Sequence, residues 1–162
     1  LAAVVFDMDG TLTEPLLDFA LMKRRLNLSP ADDIVHHLHS LPLGSPARTL
    51  ADQIVRDMEH DAMVNMTLAR GFHPLMSALS RLNVPKAILT RNNLDPVTHL
   101  LTHHANGYTF HPTISRDCVQ PTKPHPDPLL HIARNVWQVD PAHVLMVGDG
   151  VDDVACAKAA GA

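Results

Sequence analysis

Cysteine is scarce in this chain. Cys118 and Cys156 are the only two in 162 residues. They lie too far apart in sequence to read as a metal-ligand pair, so a cysteine-held zinc site is excluded. They read as ordinary thiols of a reducing compartment, with a single disulfide between them left open. An excess of positive charge is missing too: 13 Lys and Arg face 17 Asp and Glu, for a formal net charge of -4 and an isoelectric point near 6.3. That excludes nucleic-acid binding as the main business of the surface. Any anionic ligand has to be held by local cations or by a metal. No apolar run approaches a membrane span, and the opening LAAVVF is too short, and lacks the basic flank, for a signal peptide. The sequence opens on Leu1 rather than Met, so an upstream piece, a transit segment included, is allowed for. The expected compartment is the cytoplasm, with an organelle matrix as the alternative.

What is present is the balance of a folded domain. With 46% hydrophobic and 19% charged residues, wholesale disorder is ruled out, and the length suffices for one core plus a small appended lobe. Three continuous apolar runs, AAVVF (2–6), KAILT (86–90) and HVLMVGD (143–149), carry the mark of strands buried on both faces. A weaker strand is expected near Tyr108 to Phe110. Helical patterns fall between them at about 72–83, 94–104, 126–137 and 152–160. Strand and helix in alternation predict an α/β fold, a Rossmann-like parallel sheet with helices on both faces. Residues 15–69 break the rhythm with helical patterns punctuated by Pro15, Pro30, Pro42 and Pro46. The expected organisation is a core of 1–14 and 70–162 with a helical lobe of 15–69 inserted after the first strand, lying over its end. The final AAGA stops a helix on glycine with no strand after it, so a last edge strand is expected to be missing.

In an open parallel sheet, ligands gather at the carboxyl ends of the strands. The first strand ends there on Asp7 and Asp9, the second on Thr90 with Arg91 and Asn92, and the last on Gly148 and Asp149, with Asp153 following. The proline-braced loop QPTKPHPDP adds Lys123. Taken singly, each has an ordinary reading: Asp149 and Asp153 as helix caps, Thr90 as a strand-end hydroxyl, Lys123 as a solvated lysine. Their joint placement points to one crevice. Carboxylates that close need a hard divalent cation, and Mg²⁺ takes oxygen ligands. A phosphoryl group completes the charge balance, with Lys123 and the Thr90 hydroxyl at its oxygens. One aspartate then serves as a nucleophile, and an acyl phosphate divides a hard hydrolysis into two steps.

The segments DMDGTLT, ILTRN, KPHPDPLL and VGDGVDDVACAKAAGA, in that order, resemble the four signature motifs of the haloacid dehalogenase superfamily. The helical insertion is similar to the C1-type cap of its phosphoglycolate phosphatase-like branch. The resemblance implies that Asp7 is the nucleophile and a Mg²⁺ ligand. It makes Asp9 the general acid and base, with its backbone carbonyl on the metal, and Asp149 a further metal ligand. Thr90, with the backbone N–H of Arg91, and Lys123 are implied to hold the phosphoryl oxygens. Asp153 is implied to act through Lys123 or a water rather than on the metal directly. The family's name-giving dehalogenases generally lack an acid two residues after the nucleophile and need no Mg²⁺; Asp9 here favours phosphoryl transfer.

The expected activity is therefore a Mg²⁺-dependent phosphatase acting on a small phosphorylated metabolite, with no nucleic-acid or membrane partner. A phosphomutase using the same aspartates is the alternative. Behind it stand a phosphonatase, which needs a lobe lysine and has only Lys23 to offer, and a phosphate-binding pseudoenzyme. The lobe's other cations, Arg24, Arg25, Arg48 and Arg56, are expected to be solvated, and Met58, Met63 and Met66 to belong to the lobe's own core. Twelve histidines are many for this length; His99 and His103, at i and i+4, have metal-ligand spacing but are expected to line a solvated helix face.

Overall fold

The computed structural model describes residues 1–15 and 17–162. It divides into two compact units, one of Leu1–Pro15 with Met66–Ala162, the other of Leu16–Asn65.

The second unit is helical. Helices α1 (Phe19–Arg25), α2 (Ile34–Ser40) and α3 (Pro46–Val64) each begin at a side-chain cap: Asp18 accepts from Leu21 N–H, Asp33 from His36 N–H, and Ser45 from Arg48 N–H. Ala51, Val55 and Met58 fall on one stripe of α3 and bury against Met22 and Leu26. Met58 also walls an open groove of about 290 Å³ on this unit, with Leu21, Ala62, Arg25 and Asp61. Met66 departs from the expectation: it packs with Met8 and Leu12 in the core of the sheet unit.

The sheet unit holds four parallel strands, β1 (Ala3–Phe6), β2 (Lys86–Leu89), β3 (Thr113–Ile114) and β4 (Val144–Val147), in the order β3-β2-β1-β4. Its helices are α4 (Phe72–Arg81), α5 (Leu94–His99), α6 (Asp127–Leu130) and α7 (Val151–Ala160), with α5 and α6 running on through π-turns at Leu100–His104 and His131–Val136. Alternation along the strands explains two cores. Val4, Phe6 and Ile88 face Phe72, Met76, Val97 and Leu100, whereas Val5, Ala87 and Leu89 face Leu129, Ile132 and Cys156. Burial on both faces is why β1 and β2 read as unbroken apolar runs. This is the expected α/β architecture.

Two strands differ from the sequence reading. β3 lies at Thr113–Ile114 rather than at Tyr108 to Phe110. Phe110 instead packs edge-on to Phe6, and Pro112 has no N–H for a ladder, although its carbonyl accepts from Ile88 N–H at 3.1 Å. The strand register therefore starts beyond Pro112. β4 is not buried on both faces: it pairs only with β1 among the described strands, and Leu145 is 48% exposed. Among the described residues, no helix is long and apolar enough to cross a membrane.

The π-turn after α5 sets the His99 ring between His103 and His104, with centroids at 4.6 and 5.4 Å. Burial and these two neighbours lower the pKa of His99. Among the described residues, the only trio of metal-competent side chains with ligand atoms within 4.8 Å of one another is Asp7, Asp149 and Asp153.

Candidate active site

The end of β1 is held by its neighbour. Asp7 N–H donates to the Val147 carbonyl at 2.8 Å, so the β1–β4 ladder carries the aspartate to the sheet's edge. The chain then turns tightly: the Met8 carbonyl accepts from the N–H groups of Leu12 (2.8 Å) and Thr13 (3.0 Å) and from Thr13 Oγ1 (3.2 Å). Gly10 makes this turn at φ +77°, and a Cβ on it would run into the Asp149 carboxylate. The loops after β1 and β4 thus meet over a glycine. A Cβ on Gly148 would likewise strike the Asp153 carboxylate.

Lys123 joins these loops. Its Nζ donates to Asp7 Oδ1 at 2.7 Å and to Asp153 Oδ1 at 2.5 Å. Only 4% exposed, it is not the solvated lysine its sequence context allows. Asp153 does two jobs at once. Its Oδ2 accepts from Gly150 N–H at 3.0 Å and caps α7, while Oδ1 orients Lys123. Burial pushes the Asp7 carboxyl above the usual carboxylate range, Lys123 pulls it back, and the net direction is upward. Asp9 is half-buried, and its backbone bridges to Thr13 at the same turn.

Thr90 stands at the end of the neighbouring strand, two positions past Ile88, which pairs with Phe6. It is buried, its N–H donates to the Ile114 carbonyl at 2.9 Å, and its Oγ1 accepts from Asn92 N–H at 3.1 Å. The Arg91 side chain goes elsewhere, to Asp152 Oδ2 at 2.5 Å. Asp152 went unnoticed in the sequence because VDDV reads as the first turn of a helix, where acids are ordinary. The donor set fits a hard divalent cation: Asp7, Asp149 and Asp153 offer carboxylate oxygens and neither sulfur nor nitrogen, and Lys123 forms ion pairs with Asp7 and Asp153.

Acidic side chains gathered at the carboxyl edge of a parallel sheet, with a buried lysine among them, stand where open α/β sheets hold their ligands. The model of the haloacid dehalogenase-like hydrolase family matches residues 1–161, and the chain belongs to that family. It is a hydrolase. A haloacid dehalogenase-like hydrolase domain-containing protein of Arabidopsis thaliana is 37% identical, over all of this chain and 69% of its own length. A phosphoglycolate phosphatase of Neisseria gonorrhoeae is 29% identical, over 98% of this chain and 76% of its own length. The crystal structure of a predicted phosphoglycolate phosphatase from Haemophilus somnus shares the fold with a TM-score of 0.76 at 21% identity, covering 99% of this chain and 82% of that one.

Proposed function

We propose that this hydrolase removes the phosphoryl group from a small phosphomonoester through an aspartyl-phosphate on Asp7, with Mg²⁺ as cofactor. The observation that carries the reading is the nearly buried Asp7 carboxylate, fixed through one oxygen by a lysine that Asp153 holds in turn. One oxygen is oriented by Lys123 and the other serves as the nucleophile on phosphorus. As the Asp7–phosphorus bond forms and the ester oxygen leaves, Asp9 gives that oxygen its proton. Asp9 then takes a proton from water, which attacks phosphorus, breaks the bond to Asp7 and releases inorganic phosphate. Lys123 Nζ and Thr90 Oγ1 hold the phosphoryl oxygens, joined by the Arg91 N–H. Asp7, Asp149 and the Asp9 carbonyl would hold Mg²⁺, which when bound offsets the negative charge of carboxylates and phosphoryl group.

A phosphonatase is disfavoured, because Lys23 Nζ is engaged by the Pro30 carbonyl at 2.7 Å within the helical unit. The test is phosphate release from an aryl phosphate and a panel of small phosphomonoesters, with and without Mg²⁺, beside Asp7→Asn. Metal-dependent release that the substitution abolishes is expected; a folded, Mg²⁺-binding protein that releases nothing contradicts the reading.

A further inference from the structure

One ion pair crosses the carboxyl edge of the sheet outside the lysine-bridged cluster. Arg91 Nη1 meets Asp152 Oδ2 at 2.5 Å, with side chains 44% and 40% exposed. Arg91 follows β2, and Asp152 lies in the first turn of α7, after β4. In the order β3-β2-β1-β4 the strand between them is β1, which delivers Asp7 and Asp9. The pair therefore reaches across about two strand spacings, roughly 9.5 Å of sheet, over the end of the strand that bears the nucleophile.

Folding alone does not call for this bridge. An ion pair so exposed contributes on the order of 0–1 kcal/mol, and Asp152 is already favoured at the amino end of α7 without an arginine. The backbone beneath Arg91 is fixed, since Thr90 is buried and bonded to Ile114, while the guanidinium stays open to solvent. A planar guanidinium on a fixed backbone, beside a phosphoryl site, is matched to a carboxylate or phosphate. Here the guanidinium is held by the Asp152 carboxylate.

We propose that Arg91 recognises a second anionic group on the substrate, and that Asp152 keeps its guanidinium across the mouth of the site until that group displaces it. The substrate class is then a short phosphomonoester with a further carboxylate or phosphate a few bonds from the ester. This deepens the phosphatase reading above and rests on it.

The experiment compares 2-phosphoglycolate, ethyl phosphate and a short bisphosphate ester, with Mg²⁺, for the wild type, Arg91→Met, Asp152→Asn and the double variant. A charge-assisted contact corresponds to about ten-fold or more in affinity. Arg91→Met should raise KM by that factor more for a doubly anionic ester than for ethyl phosphate. Asp152→Asn should lower KM for the doubly anionic ester, and should do nothing further once Arg91 is gone. The phosphoglycolate and bisphosphate arms tell a carboxylate from a phosphate. Calorimetric binding of the same esters to Asp7→Asn, with and without Arg91→Met, reads the contrast without turnover. Contrast in binding with no turnover by the wild type keeps Arg91 and sinks the phosphatase. Turnover with equal effects of Arg91→Met on all esters, or with none, overturns the role of Arg91, as does binding that ignores the second anion or is absent.

Discussion

Replacing Lys123 by Met keeps the length and apolar stem of the side chain and removes its charge. In the wild type that charge is buried and shared by Asp7 at 2.7 Å and Asp153 at 2.5 Å. Both carboxylates belong to buried residues, so the variant leaves two like charges without a cation in a poorly solvated place. Removing one partner of a buried ion pair destabilises by about 3–5 kcal/mol. At roughly 2–4 °C per kcal/mol for a chain of this size, the metal-free variant should melt on the order of 10 °C lower at neutral pH. The sign with pH follows. In the variant the Asp7 carboxyl, already raised by burial, loses the cation that pulled it back, so the folded state binds more protons, and stability returns as pH falls from neutral towards the ordinary carboxylate range. Adding Asp7→Asn should recover much of the loss by removing one of the stranded charges. Calorimetric melting of the wild type, Lys123→Met and Lys123→Met/Asp7→Asn in a chelator from pH 5 to 8 (about one unit above the unfolded carboxylate value upward) reads all of this. Equal melting of Lys123→Met and wild type, or no recovery in the double variant, would refute the reasoning.

Further outcomes are expected. Because burial raises the Asp7 carboxyl, its ionised form opposes folding once pH exceeds the unfolded value; Asp7→Asn alone should raise the melting temperature of the metal-free protein at neutral pH, and a fall would count against the raised carboxyl. Gly10→Ala places a Cβ at φ +77° against the Asp149 carboxylate, which should cost about 1–3 kcal/mol and weaken Mg²⁺ binding in calorimetry; a neutral effect on both would mean that the two loops do not meet. Cys118 is exposed and Cys156 is buried with its thiol pushed up to about 11. An aromatic disulfide reagent at neutral pH should therefore modify Cys118 in the folded chain and both thiols only after denaturation. The folded state retains the Cys156 proton longer than the unfolded one, so that thiol's effect is a loss of stability as pH climbs from about 9 towards 11.

The strands that bear Asp7 and Thr90 were legible because burial on both faces demands unbroken apolar runs, as in AAVVF and KAILT. The run of β4 was legible in the same way, although Leu145 is exposed, with β4 pairing only with β1 among the described strands. β3 was displaced because its register depends on a partner strand and on the missing N–H of Pro112, which local propensity does not weigh. At the site, strand-end placement singled out Asp7, Thr90, Asp149 and Asp153 as candidates. Two features were out of reach. The burial of Lys123 is created by partners 116 and 30 residues away, and the Arg91–Asp152 bridge by a separation of 61. Chain distance hides such pairs until the sheet order brings them together.

The measurement that tests the central claim most directly is the trapping of the phosphoryl group during turnover. The protein is mixed with a ³²P-labelled phosphomonoester and Mg²⁺, quenched in acid within the first turnover, and digested, and the labelled peptide is sequenced. The expected result is an acid-stable, hydroxylamine-labile label on the peptide that contains Asp7, absent from Asp7→Asn. Turnover that leaves no such label at any quench time and persists in Asp7→Asn, or a label on another residue, would contradict it.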